Sequence, residues 1–219
     1  MQKNYKQNTT FLNPYSYNLA RKNIKLFNQF NIKIDGILLV KVLNIFGLKN
    51  IKRESFDMTS LAPLVFNSAL EKNKTIYFIG AQPKIIDRAV KNIQNEFKGL
   101  NIVGYRNGFI KADEKYELLE NIKNINPDII ICGMGTILQE QFLVDLENQG
   151  WTGKGYTCGG FLHQTAENIK YYPDLIDKLN LRLFYRFYKE PHLYKRYFIQ
   201  YPLFFIYIVY DFIVYKKGI

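Results

Sequence analysis

The sequence predicts an α/β fold: a Rossmann-like parallel sheet flanked by helices, with a C-terminal helical, membrane-associating appendage. Three observations predict it. Short apolar runs of strand character alternate with helical stretches between Thr75 and Cys158, the rhythm of βαβ units. The run Ile129-Ile130-Ile131-Cys132 breaks into Gly133-Met134-Gly135 before a helical pattern opens. In an open parallel sheet, ligands sit outside the carboxyl ends of the strands, where the next helix N-terminus favours anions. Finally, composition shifts after about Pro173 toward Tyr, Phe, Arg and Lys.

In chain order, residues 24–31 lead into Ile32-Lys33-Ile34, an alternating strand ending in the turn Asp35-Gly36. Residues 37–46 are apolar enough for a buried helix, which Gly47 stops. A turn region holding Lys52, Arg53 and Asp57 precedes a helix from Ala62 to Asn73. Thr75–Gly80 is a short apolar strand, and 83–97 a helix with Ile86, Ala89, Val90, Ile93 and Phe97 on one face. Strand 101–105, helix 113–125, strand 128–132, helix 136–148 and strand 155–158 continue the alternation. Gly159-Gly160 and a further helical stretch follow. The division is residues 1–180 as the α/β domain and 181–219 as a basic, aromatic appendage.

A hydrophobic content of 47% with 22% charged residues excludes a disordered chain. The formal charge of +11 points to polyanionic partners: nucleic acid, anionic lipid or a diphosphate. Cys132 and Cys158 lie in apolar strand-like runs, as buried reduced thiols of a reducing cytoplasm do. The polar first eight residues carry no secretory signal. The longest apolar segment, 201–215, contains Asp211 and falls short of the ~20 residues of a membrane span. In the appendage, Arg182, Arg186, Lys189, Lys195 and Arg196 are balanced only by Glu190. Polar-tipped rings and long basic chains suit a lipid headgroup layer.

Taken singly, the polar residues read blandly. Asp35-Gly36 is a common turn dipeptide and Asn13-Pro14 a turn initiator. Arg53 fits a solvated loop, and Gln139 and Glu140 an exposed helical turn. A carboxylate at a strand's carboxyl end is also placed to take a proton from an attacking hydroxyl. His163 and His192 stand apart from any ligand set, so no zinc site is read. No Asp-x-Asp pair, Walker loop, G-x-G-x-x-G, G-x-S-x-G or H-E-x-x-H motif occurs. Gly80-Ala81-Gln82-Pro83 only weakly resembles a phosphate-cradling turn.

Blocks spread along the chain resemble the WecG/TagA/CpsF glycosyltransferases. They are TTFLNPYS, KIDGILLV, KRESFDM, TIYFIGAQP, IVGYRNGFI, NPDIIICGMGTILQE, YTCGGFLHQTA and LRLFYRFYKEPHLYKRY, in that order between Thr9 and Tyr197. The resemblance implies transfer of a sugar, N-acetylmannosamine or a related hexose, from a UDP-linked donor to a polyprenyl-diphosphate-linked sugar. The reaction inverts the anomeric carbon at the cytoplasmic membrane face and builds teichoic acid, capsule or a related polysaccharide. The resemblance also implies Asp35 as catalytic base, with Asn13, Arg53, Gln139 and Glu140 around the substrates. Arg186 and Arg196 match arginines that close over the diphosphate. The Gly133–Gly135 turn would add main-chain donors. Three positions depart from the family pattern: His163 replaces a frequent Asp, Leu193 a frequent Arg, and Tyr171-Tyr172-Pro173 an Arg-Ala-Pro element. They bear on donor sugar and clamping more than on reaction class.

The expected protein is a metal-independent inverting glycosyltransferase without a cofactor, peripheral on the inner membrane face and binding no nucleic acid. Two rivals come from other classes. A basic nucleic-acid-binding α/β protein would show steeply salt-sensitive binding, and a non-catalytic membrane-associated scaffold would bind without transferring.

Overall fold

A computed structural model describes residues 6–48, 50–179, 181–190 and 194–215. Among the described residues there are six strands: β1 (Thr9–Leu12), β2 (Asn31–Ile34), β3 (Thr75–Gly80), β4 (Asn101–Arg106), β5 (Ile129–Gly133) and β6 (Lys154–Thr157). They form one sheet in the order β2-β1-β6-β5-β3-β4. The pairs β1/β6, β6/β5, β5/β3 and β3/β4 are parallel. Between β1 and β2, the amides of Asn31 and Asp35 donate to the carbonyls of Asn8 and Leu12. Both partners advance in the same direction, so this pair is parallel too. The helices are α1 (Pro14–Ala20), α2 (Ile24–Phe27), α3 (Ile37–Ile45), α4 (Leu61–Glu71), α5 (Pro83–Glu96) and α6 (Lys115–Ile125). They continue as α7 (Leu138–Asn148), α8 (Phe161–Glu167), α9 (Asp174–Lys178), α10 (Arg182–Lys189) and α11 (Tyr194–Tyr215). The α/β class and the parallel sheet are as the alternation predicts.

The chain divides into two compact units. The first comprises Met1–Phe11, Lys25–Lys33 and Glu54–Tyr171, and the second Leu12–Ile24, Ile34–Arg53 and Tyr172–Ile219. In the first unit, alternation along the central strands feeds two cores. On β3, Ile76 and Phe78 point into one and Tyr77 and Ile79 into the other; on β5, Ile129 and Ile131 oppose Ile130 and Cys132. One core is closed by Phe56, Phe66 of α4, Ile86 and Ile93 of α5 and Phe161 of α8. The other is closed by Phe30, Leu119 and Ile122 of α6, Phe142 and Leu143 of α7, and Trp151. A strand buried on both faces must be apolar throughout, which is why β3 and β5 carry unbroken hydrophobic runs.

In the second unit, Asn13 opens α1: its side chain accepts from the amides of Tyr15 and Ser16 at 3.0 Å each, and the Ser16 hydroxyl accepts from the Asn13 amide at 2.8 Å. This reciprocal cap satisfies amides that the first turn leaves unpaired. Helix α11 packs on α1. Asp211 accepts from Arg21 Nε at 2.7 Å and Nη2 at 2.6 Å, and from the Tyr17 hydroxyl at 2.7 Å. Asn18 donates to the Gln200 carbonyl at 2.8 Å, and the Tyr17 ring meets Phe204 edge-on at 5.5 Å.

The structure adds to and corrects the elements read from sequence. The early segment Thr9–Leu12 is a sheet strand, β1, whose Thr-Thr-Phe-Leu run does not alternate polar with apolar. Residues 24–31 contain a helical turn, α2. Helix α3 is not buried throughout, since Ile37 and Ile45 are exposed. The apolar stretch of the tail is longer than expected: α11 runs for 22 residues, and Tyr197–Val214 is long and apolar enough to cross a membrane by length and composition. Tyr194–Gln200, read from sequence as part of the basic segment, continues the same helix.

Candidate active site

The carboxyl ends of β3, β4 and β5 converge closely in the first unit. Gly80 stands opposite Gly133 in register, and a Cβ on Gly80 would lie 2.3 Å from the Gly133 carbonyl oxygen. The Ala81 amide donates to that oxygen at 3.1 Å, and the Gly108 amide to the Ala81 carbonyl at 2.9 Å. A Cβ on Gly108 would stand 3.0 Å from Gly80 Cα and 3.2 Å from Met134 Cγ. Only glycine permits the loops after three strands to approach like this. Because β4 and β5 flank β3 on opposite sides, this is the switch point of the sheet, where ligands of such folds bind. The Gly80-Ala81-Gln82-Pro83 turn, a weak signal in the sequence, belongs here.

Beyond β5 the turn continues through Gly135, at φ +86° with open space around it, to Ile137 at φ +82°. A β-branched residue there is a true outlier, and α7 begins only after it. The Ile137 amide donates to Glu140 Oε2 at 2.6 Å. The other carboxylate oxygen, Oε1, accepts from the Thr10 hydroxyl at 2.7 Å and from Gln139 Nε2 at 3.0 Å. Thr157 in turn donates to the Thr10 hydroxyl at 2.9 Å, and the Gly159 amide donates to Gln139 Oε1 at 3.4 Å. Gln139 and Glu140 are only 3% and 1% exposed, not the exposed turn their residue types suggest. A buried carboxylate persists only if its oxygens are hydrogen-bonded, and this network meets that need while tying β1, β6 and the α7 entrance together. Thr10 and Thr157 are members that no sequence motif announces.

Asp35, Arg53 and Asn13 come together in the second unit. Asp35 follows the last residue of β2, and its amide donates to the Leu12 carbonyl at 2.7 Å. Arg53 Nη2 lies 3.2 Å from Asp35 Oδ1, with about a third of the carboxylate side chain and a quarter of the arginine's still exposed. Gly36, at φ +98°, turns the chain into α3, and a Cβ there would lie 3.6 Å from Asn13 Cβ. A carboxylate braced by a guanidinium and about a third exposed can accept a proton.

Arg186 lies on α10, where its Nε and Nη2 each donate to the Glu190 carboxylate at 3.0 Å. Burial opposes its charge, but Glu190 and the nearby Tyr197 and Tyr172 hold the guanidinium's pKa above its ordinary value. Arg182 stacks over the Tyr172 ring at 4.8 Å. Arg196 lies on α11, its side chain outside the described residues, as are His192 and Leu193. Cys132 and Cys158 are both buried, and burial pushes both thiols up. Among the described residues no group of three His, Cys, Asp or Glu side chains is arranged to hold a metal ion.

A profile of the glycosyl transferase WecG/TagA/CpsF family matches residues 1–218. The chain is 37% identical over 198 residues to a UDP-Gal:alpha-D-GlcNAc-diphosphoundecaprenol beta-1,4-galactosyltransferase of Shigella boydii, covering 90% of this chain and 83% of that one. It is 28% identical over 128 residues to an N-acetylglucosaminyldiphosphoundecaprenol N-acetyl-beta-D-mannosaminyltransferase of Bacillus subtilis, over 58% of this chain and 49% of the relative. A protein of the same description from Bacillus spizizenii is 26% identical over 74% of this chain and 62% of its own. With the profile spanning almost every residue and a relative above a third identical over most of both chains, the protein is a glycosyltransferase of the WecG/TagA/CpsF family.

Proposed function

We propose that this enzyme transfers a hexosyl group from a UDP-hexose to a GlcNAc-diphosphoundecaprenol acceptor, with inversion, during synthesis of a cell-surface polysaccharide. The observation that carries the chemistry is the partly exposed Asp35 carboxylate braced by Arg53. The substrates are carried over from the printed activities of the relatives. Galactose is the first donor to test, because the galactosyltransferase shares 37% identity and the mannosaminyltransferases 28% and 26%.

In this reading a hydroxyl of the acceptor sugar attacks the anomeric carbon of the donor. The new C–O bond forms as the bond to the UDP β-phosphate oxygen breaks, and Asp35 takes the hydroxyl proton. UDP departs with the electron pair. Arg53 orients Asp35 and offers positive charge to the departing diphosphate, and Asn13 shapes the turn beside it. In the first unit, Gln139 and Glu140 hold the Gly133–Gly135 turn, whose main chain offers donors to a phosphate. Arg186 and Arg196 add charge for a diphosphate, Arg186 by exchanging its Glu190 partner for phosphate oxygens. No metal is required in this scheme, because cationic side chains and main-chain donors offset the charge that builds on the leaving group.

The acceptor's lipid chain requires a bilayer, and α11 suits one. Its inner side carries Phe204 and Ile208, buried, and Asp211 tied to Arg21, while Phe198, Phe205, Ile206, Val209 and Ile213 are exposed. A helix anchored on one side and apolar on the other lies in the membrane interface, here the cytoplasmic face. The test is UDP release from UDP-galactose, UDP-N-acetylmannosamine and UDP-glucose with GlcNAc-diphosphoundecaprenol in vesicles. UDP-galactose should give acceptor-dependent release; no release with any donor would overturn the reading. Removing residues 194–219 should release the protein from anionic vesicles in co-sedimentation, and an unchanged profile would refute the membrane role of α11.

A further inference from the structure

We propose that α3 is a second membrane-contacting helix, which seats the Asp35–Gly36 turn at the bilayer surface. The proposal rests on the membrane role of α11 given above and extends it to the catalytic turn. Ile37, Lys41, Ile45 and, beyond the Gly47 turn, Leu48 are all exposed, and the four-residue spacing of the first three places them on one stripe of the helix. Ile45 is 81% and Leu48 54% exposed. The opposite side of α3 is formed by Leu39, Val40 and Val42, which are buried, so the stripe is not a core face left over. With Asn44 also exposed, it is a second, amphipathic face on a helix whose first is buried.

Three observations say what covers it. The only charge within the stripe is Lys41, whose long stem can lie along lipid while its ammonium reaches the headgroups. The chain as a whole carries +11, the sign that anionic headgroups attract. The C-terminal end of α3 also meets the tail: Phe46, one residue beyond α3, packs against Phe212 of α11 with ring centroids 4.5 Å apart. The apolar face of α11, through Ile206, Val209 and Ile213, therefore lies on the same unit as that of α3. A second protein surface would leave Lys41 to be paired by an acid; a bilayer supplies phosphates without one.

The functional consequence is positional. Ile37 is two residues after Asp35, so a stripe that begins in lipid holds the carboxylate at headgroup depth. That is where the diphosphate and first sugar of a polyprenyl-linked acceptor lie.

The test places a tryptophan in the full-length protein at Ile45→Trp or, separately, at Ile206→Trp. Quenching is measured with vesicles of phosphatidylglycerol and phosphatidylethanolamine whose acyl chains are brominated. Buried Trp151 provides the background in the parent protein. Quenching above that background is expected at both positions, and Ile45→Glu should lower vesicle partitioning about tenfold. Quenching at Ile206→Trp but not at Ile45→Trp would overturn the role of α3 and leave that of α11 intact. Quenching at neither would remove both. If Ile45→Glu instead shifts self-association in sedimentation velocity and leaves partitioning unchanged, the stripe is a protein interface and the proposal fails.

Discussion

Arg53 holds a guanidinium nitrogen 3.2 Å from a carboxylate oxygen of Asp35, eighteen residues earlier in the chain. The pair sits immediately before the Gly36 turn, so the acid is oriented by a side chain and by its own strand end together. Asp35→Asn keeps the size and removes the base, and turnover should fall by ~100- to 10,000-fold with UDP binding retained. Arg53→Lys keeps the charge but not the planar fork, and should recover only part of what Arg53→Ala loses. Steady-state UDP release with isothermal titration of UDP checks both; wild-type turnover in Asp35→Asn would remove Asp35 from the mechanism.

Chelation should have no effect. The sequence has no Asp-x-Asp pair to present a divalent cation, and Arg53 supplies fixed positive charge beside the proposed base. UDP release should be the same in EDTA as in magnesium. A loss that magnesium restores would overturn the metal-independent scheme.

Glu140 is an all-acceptor position. Its two oxygens take hydrogen bonds from Ile137 N, Thr10 Oγ1 and Gln139 Nε2. In Glu140→Gln one oxygen becomes an NH₂ group that must face a donor in either orientation of the amide. The cost is about 1–3 kcal/mol, or a fall in Tm of about 2–12 °C for a chain of this size. Ile137→Gly should do the reverse to the backbone, relieving the +82° φ while loosening the turn, so that Tm holds or rises as turnover drops. Differential scanning fluorimetry alongside the transfer assay separates the two.

Two glycines with positive φ should respond very differently to alanine. At Gly80 the new Cβ would lie 2.3 Å from the Gly133 carbonyl oxygen, which is backbone and cannot swing away. The substitution should cost about 3 kcal/mol or more. At Gly47, φ +90° with nothing within 4 Å, only the left-handed backbone is penalised, at about 1 kcal/mol. Urea denaturation of the two variants should rank them in that order.

The Asp211 latch sets an acid limit. Its hydrogen bond from Arg21 holds the carboxylate below the ordinary value of 3.8, against the opposing effect of burial, with Tyr17 adding to the lowering. A carboxyl lowered in the folded state stabilises the protein above its unfolded value and loses that contribution as pH falls through the folded one. Attachment of α11 to α1 should therefore be complete at neutral pH and weaken only below about pH 3.8. Asp211→Asn should lower stability at pH 7 by about 1–3 kcal/mol and show a smaller further loss on acidification than the parent. Urea midpoints at pH 7 and pH 3 give the comparison.

The sequence alone determined the parallel α/β class, because a strand buried on both faces must be apolar along its buried length, as Ile76–Ile79 of β3 and Ile129–Cys132 of β5 are. It also marked the Gly133–Gly135 turn, since only glycine tolerates that path, and the series of motifs pointed to the family. It could not show β1, whose Thr-Thr-Phe-Leu run does not alternate, nor the length of α11, which absorbs Tyr194–Gln200, read as part of the basic segment. Gln139 and Glu140 look like surface residues in any one-dimensional reading. Only tertiary structure decides that they are buried, because Thr10, which donates to Glu140 and accepts from Thr157, and the Gly159 amide, which donates to Gln139, are distant along the chain. The pairing of Arg53 with Asp35 and of Arg21 with Asp211 is decided in the same way: hydrogen bonds act over ångströms, and separation along the chain says nothing of them.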